Sequence, residues 1–136
     1  MRRLILSAGV LAAALTGAAQ AALTPDTFQI RTAGDLVSLC APSTSDPNAV
    51  AAVHMCQGFL VGAYTVLKTD QEANPRLRLF CTPEPPPSRN DAIAAFITWV
   101  NADPSRAALP PVDGVVGYLH QAYPCPVQSS AQTRRK

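Results

Sequence analysis

The stretch Asp46 to Lys68, DPNAVAAVHMCQGFLVGAYTVLK, decides how the rest of the chain is read. Val53, Cys56, Leu60, Tyr64 and Leu67 recur at helical spacing, so one face of a helix is apolar throughout. Asp46 can cap that helix, with Pro47 at its first position, where the missing N–H costs nothing. The expected helix runs from about Pro47 to Lys68. It also carries Asn48, His54, Gln57 and Thr65, which favours a buried core helix over a membrane span. Gly58 and Gly62 stand one turn apart, each costing about 1 kcal/mol of helix propensity relative to alanine. That cost predicts another backbone packed closely against them. His54 and Cys56 leave a chemical question open. They could be a base and its nucleophile, or two of four zinc ligands with His120 and a further cysteine, and the folding compartment decides between these readings and plain scaffold.

The N-terminus speaks to the compartment. In MRRLILSAGVLAAALTGAAQAA, Arg2 and Arg3 precede an apolar run from about Leu4 to Leu15, and Ala19-Gln20-Ala21 closes it. This is the pattern of a cleaved signal peptide over residues 1–21. The apolar run is shorter than the roughly 20 residues a spanning helix needs. Ala22, not a lipidatable cysteine, follows, so the expected product is a soluble periplasmic protein with no membrane association after cleavage. The expected domain covers residues 22–128, and residues 129–136 form a polar tail. Without Arg2 and Arg3, nine basic residues face nine acidic ones, and Arg134, Arg135 and Lys136 belong to the tail. The folded part is therefore mildly acidic, a poor partner for nucleic acid.

All four cysteines, Cys40, Cys56, Cys81 and Cys125, fall after the leader. An even count in an oxidising compartment predicts two disulfides. A zinc site would want paired short spacings, whereas the cysteine gaps here are 16, 25 and 44. A cysteine nucleophile needs a free thiol held as thiolate, and oxidising compartments leave few. No metal and no cofactor is expected, and His54 stays without a role.

Helical signals organise the remainder. Thr32 with Asp35 three residues on makes a variant capping box, and Leu36, Leu39 and Cys40 then share a face. The connection TDQEANPRLRLFCTPEPPP is long, polar and proline-rich, with a turn at Asn74-Pro75 and exposure expected from Glu72 to Arg76. It serves as a functional loop or as a connector anchored at Cys81. Ser88 with Asp91 starts a third helix carrying Ile93, Phe96, Ile97 and Val100 on one face. Trp99 lies at the edge of that stripe, as a partly buried core residue or as an anchor for a partner or a second copy. NADPSRAALPP turns the chain, and Val112, Val115, Val116 and Leu119 mark a fourth helix to about Tyr123. Nothing alternates long enough to be a strand. The predicted fold is all-α, a small disulfide-stapled bundle of about four helices.

Antiparallel packing of the last two helices would bring Cys81 to Cys125, a closure of the chain worth roughly 4 kcal/mol. Cys40 would then meet Cys56 across the first helical hairpin, for about 3 kcal/mol. Four cysteines allow three pairings, and this one ranks first.

C-Q-G-F-L-V-G from Cys56, F-C-T-P from Phe80, N-A-D-P, L-P-P-V-D and A-Y-P-C at Cys125 together resemble the periplasmic Rap/Tai family over about residues 32 to 125. EPPP after Cys81, and Gly114 and Gly117 in the last helix, depart from its usual pattern. The resemblance implies a small helical protein, often dimeric. Such a protein binds a peptidoglycan amidase effector delivered by type VI secretion and occludes its active site without catalysis. Candidate polar contacts are Asp70, Glu72, Arg76, Arg78 and the segment Asp103 to Arg106, with Trp99 or Tyr118 as an aromatic anchor. The alternative, from another class, is a small helical periplasmic stress chaperone or adaptor with no toxin partner. An enzyme is the weakest reading, because His54, His120 and the scattered carboxylates follow no catalytic spacing.

Overall fold

Two side chains begin helices where the sequence places them. In a computed structural model of the chain, which describes residues 22–126, Thr32 accepts from the Asp35 N–H at 3.1 Å. Asp35 returns the bond to the Thr32 N–H at 3.0 Å, a complete capping box for α1, Ala33–Cys40. Ser88 accepts from the Asp91 N–H at 3.2 Å and starts α3, Arg89–Asn101. Between them lies α2, Ala49–Ala73, and after them α4, Pro104–Ala107, and α5, Pro111–Ala122. Single 3-10 turns cover Thr27–Gln29 and Pro75–Leu77, and the described residues contain no strand. The architecture is the all-α, disulfide-stapled bundle expected. The signal peptide expected over residues 1–21 and the tail expected over 129–136 lie outside the described residues.

Three local expectations need correction. Asp46 does not cap α2; its carboxylate accepts from the N–H groups of Leu23 and Asn48, both at 2.8–2.9 Å, and so builds the turn before a helix that begins at Ala49. The far end of α2 runs past Lys68 to Ala73, because Thr69-Asp70-Gln71-Glu72-Ala73 contains nothing that breaks a helix and Pro75 follows only afterwards. Asp103, accepting from the Ser105 N–H at 2.9 Å, caps a fifth short helix where a plain turn was expected.

The core is gathered around α1. Ala33, Leu36 and Leu39 are completely buried and meet Ala52 and Cys56 of α2, Phe96 and Val100 of α3, and Val115, Tyr118 and Leu119 of α5. The Ala33 N–H also donates to the Leu109 carbonyl at 2.9 Å, tying the start of α1 to the turn before α5. Both disulfides join the pairs ranked first. Cys40–Cys56 bridges α1 to α2 with an S–S distance of 2.07 Å, and Cys81–Cys125 closes the chain around α3 and α5 at 2.11 Å. Beside the second, the Cys81 N–H donates to the Tyr123 carbonyl at 2.8 Å. Two disulfides fit an oxidising compartment.

The helix expected as a buried core element is buried on one side only. Ala52 and Cys56 are its fully enclosed residues, while Leu60, Ala63, Tyr64 and Leu67 lie half-buried along the same side. Ala51, Met55, Gly58, Gly62 and Val66 face the opposite way and are exposed. A Cβ built on Gly58 or Gly62 meets nothing within 4 Å. These glycines therefore make no close-packing face within the chain, because α1 and α5 cover the other side of the helix. Close approach occurs at Gly114 of α5, where a Cβ would lie 2.8 Å from the Cβ of Ala33. Length and apolarity alone would let α2 cross a membrane; its disulfide to α1 and the enclosure of Ala52 and Cys56 tie it into the bundle.

Candidate functional site

The binding candidates separate into two places, with one residue in neither. Asp70 and Glu72 stand on the last turn of α2 instead of in a loop, and Arg76 and Arg78 follow within a few residues; all four are exposed. This end of the molecule is held rigid by Gln71, which the sequence did not single out. Its amide donates to the Phe80 carbonyl at 3.0 Å, and its oxygen accepts from the Leu79 and Phe80 N–H groups at 3.2 and 3.4 Å. One helical side chain thus satisfies the backbone of the returning segment, in place of a strand partner. The Tyr64 and Thr82 hydroxyls share a hydrogen bond at 3.0 Å, sealing the same segment one step further. Arg76 and Arg78 line a concavity of about 360 Å³ together with Pro75, Pro126 and the Cys81–Cys125 disulfide. They present positive charge on a backbone clamped from both sides.

Trp99, Asp103 and Arg106 form the second place, at the junction of α3 and α4. The Arg106 guanidinium lies 4.4 Å from the Trp99 ring centroid, and its Nη1 donates to the Trp99 carbonyl at 2.7 Å. Its Nε stands 3.8 Å from Asp103 Oδ2. The Trp99 indole N–H donates to Gln121 of α5 at 2.6 Å. Stacking of this kind is worth about 0.5–1 kcal/mol at an exposed site, and it adds to the hydrogen bonds from Arg106 to the Trp99 carbonyl and from Trp99 to Gln121. The Ser105 hydroxyl and N–H, and then the charge of Arg106, hold the Asp103 carboxyl below its ordinary pKa. Trp99 is half-buried and lies over Gly117, where an added Cβ would come within 3.1 Å of its ring.

Tyr118 is the correction. It is 5 % exposed, packed between Phe96, Trp99 and Tyr123 at centroid distances of 5.7, 6.2 and 6.0 Å. Burial, and then the Tyr123 hydroxyl, push its phenol well above the ordinary value. A side chain so enclosed cannot project as an anchor; the surface it keeps contributes to the lining of a groove between α2, α3 and α5. Its position on α5 reads as helix face from the sequence; that three other aromatic rings enclose it follows only from the packing.

A groove of about 420 Å³ opens between α2, α3 and α5, with the proline segment after Cys81 as its outer wall. Leu60 and Val61 of α2, Ile93 of α3 and Leu119 of α5 line it, with Lys68 and Arg89 among the lining residues. None of this was visible as a motif, since its residues come from three separated stretches of the chain. Both His54 and His120 are exposed and stand apart from these places. Among the described residues, no group of three or more His, Cys, Asp or Glu side chains is placed to hold a metal ion.

The scaffold is thus a helical bundle braced by two disulfides, with a charged end around Arg76 and Arg78, an aromatic platform at Trp99 and an open apolar groove. The model of one family, the Rap1a immunity proteins, matches residues 32–125, and the chain belongs to that family. Comparison with curated proteins and with solved structures returned no match. The matched span begins at the Thr32 cap of α1 and ends at Cys125, so it coincides with the disulfide-closed bundle.

Proposed function

We propose that this chain is a periplasmic immunity protein that binds a secreted peptidoglycan amidase effector and occludes its active site. Membership of the immunity family carries this reading. The amidase as target comes from the resemblance of the Cys56, Phe80 and Cys125 motifs to the Rap/Tai proteins. Inhibition by occlusion asks for a rigid surface and no chemistry, so the chain acts without catalysis and without a cofactor. Rigidity reduces the ordering cost of association, which accords with two disulfides and the Gln71 clamp. The contact surface joins Asp70, Glu72, Arg76 and Arg78 at the clamped end, with the Trp99, Asp103 and Arg106 platform as a second contact. Delivery to the periplasm uses the leader over residues 1–21.

A second copy packs on the outward side of α2. The supporting observation is that Ala51, Met55, Gly58, Gly62 and Val66 leave that side exposed and uncharged, with room for a backbone at both glycines. Gly58→Leu would then shift the protein from dimer to monomer in light scattering while its helical circular dichroism persists; an unchanged mass excludes this surface.

The immunity reading is tested by asking whether the gene beside this one encodes an amidase, co-purifying the two proteins and measuring peptidoglycan cleavage. Excess immunity protein is expected to stop cleavage. Full amidase activity in that excess overturns the proposal for the pair. The stress chaperone alternative predicts dye-binding apolar surface that appears at pH 3 and is absent at neutral pH.

A further inference from the structure

The groove between α2, α3 and α5 is an unassigned surface whose chemistry is one-sided. Its volume of about 420 Å³ falls in the range of sites that enclose one or two large side chains or a small ligand, roughly 300–1,000 Å³. Its walls are aliphatic and aromatic: Leu60, Val61 and Tyr64 from α2, Ile93 from α3, Tyr118 and Leu119 from α5. No carboxylate lines it, although the folded part of the chain has more acidic than basic residues. The two charges that line it are both positive. Lys68 has only an exposed pair with Glu72 at 3.9 Å, too weak to hold it. Arg89, at the first position of α3, makes no ion pair among the described residues.

The groove is also preorganised. Its outer wall is Pro86 and Pro87, in an exposed segment whose proline rings fix the backbone. That segment is pinned at one end by the Cys81–Cys125 disulfide and at the other by the Ser88 cap of α3. On the opposite side, the Tyr64 to Thr82 hydrogen bond fixes α2 against the same segment. A stiff apolar slot is the form in which protein interfaces concentrate affinity, because an anchor enters it without a large ordering cost.

We infer that this groove receives an apolar side chain of the effector, with an acidic residue beside that anchor meeting Lys68 and Arg89. The inference rests on the effector-binding reading and adds to it the chemistry of the partner's contacting segment. Positive charge on the rim steers and orients an acidic partner, while the apolar slot sets how long the complex lasts. The proline segment then acts as one jaw of the binding site.

Calorimetry and stopped-flow binding on the purified chain and a peptidoglycan amidase encoded beside its gene test the inference. Val61 is exposed and lines the groove, so Val61→Glu places a carboxylate there without disturbing the core. It is expected to weaken binding by roughly 30-fold or more, as for loss of an interface anchor. Lys68→Glu with Arg89→Glu should slow association about tenfold at low salt and much less at high salt. Val112→Glu, exposed on the first turn of α5 and outside the groove, should leave binding unchanged. Wild-type affinity in a Val61→Glu protein with native circular dichroism overturns the groove assignment while the immunity reading stands. Failure of the wild-type chain to bind the amidase overturns both. A changed mass in solution for Val61→Glu also counts against the groove, since the loss would then run through self-association.

Discussion

Two pairs of glycines sit in helices of this protein, and their surroundings are opposite. Gly58 and Gly62 lie in the middle of α2 with open space where a side chain would be, whereas Gly114 and Gly117 of α5 lie against Ala33 and the Trp99 ring. From the sequence, the α2 pair has the spacing associated with close helix packing, and the α5 pair is an irregularity in a family pattern. The structure reverses the two. At Gly114 the absence of a side chain lets α1 and α5 approach until a Cβ would stand 2.8 Å from that of Ala33. At Gly58 and Gly62 it leaves a flat surface on the side of α2 that the bundle does not cover. The same residue type thus lowers helix propensity in two settings, one pressed against neighbouring segments of the chain and the other facing open space.

The contrast can be sharpened first by releasing the frame that presses α5 inward. Replacing Cys81 and Cys125 together with serine should cost about 4 kcal/mol in urea unfolding, and the double replacement at Cys40 and Cys56 about 3 kcal/mol by the same closure argument. Gly114→Val comes next, with an expected loss of about 2–3 kcal/mol, because α1 and α5 must separate to admit the side chain. A loss below about 0.5 kcal/mol would mean that the close approach is easily relieved and the contrast fails. At concentrations where the chain is monomeric, Gly58→Ala and Gly62→Ala should each stabilise it by about 1 kcal/mol, the difference in helix propensity with nothing to clash. Destabilisation there would reveal a packed neighbour. The smallest effect is one of pH. Tyr118 keeps its proton in the fold to higher pH than in the unfolded chain, where the phenol ionises near 10.0. Its contribution is therefore complete below that pH and is lost as pH rises through the folded value. Tyr118→Phe should flatten the alkaline decline in the unfolding midpoint.

Features written in short-range chemistry were legible. Thr32 with Asp35 and Ser88 with Asp91 start helices because each side chain meets an N–H three residues away in the same chain. The cysteine pairing was legible as a first choice, since it needs only that consecutive helices fold back. Other features depended on partners distant in sequence. Gln71 reads as one more polar residue in a connector, yet it holds the backbone of Leu79 and Phe80. Tyr118 reads as exposed or buried equally well until Phe96, Trp99 and Tyr123 surround it. Of the candidate contacts, Trp99, Asp103 and Arg106 do converge, but largely on one another. The groove had no signal at all, because no single segment supplies more than a part of its lining.

By itself the sequence determined that this chain is helical, that its cysteines can staple it in two places, and which family it resembles. Periodicity, caps and proline stops act within a few residues, and an even cysteine count fits an oxidising compartment. Only the tertiary structure decided which side of α2 is left open, which glycines are pressed against a neighbour, and where an apolar slot with a positive rim appears. Those outcomes depend on which other segments arrive within a few ångströms of a given Cβ, and a helix's own repeat, however regular, carries no information about what packs beside it.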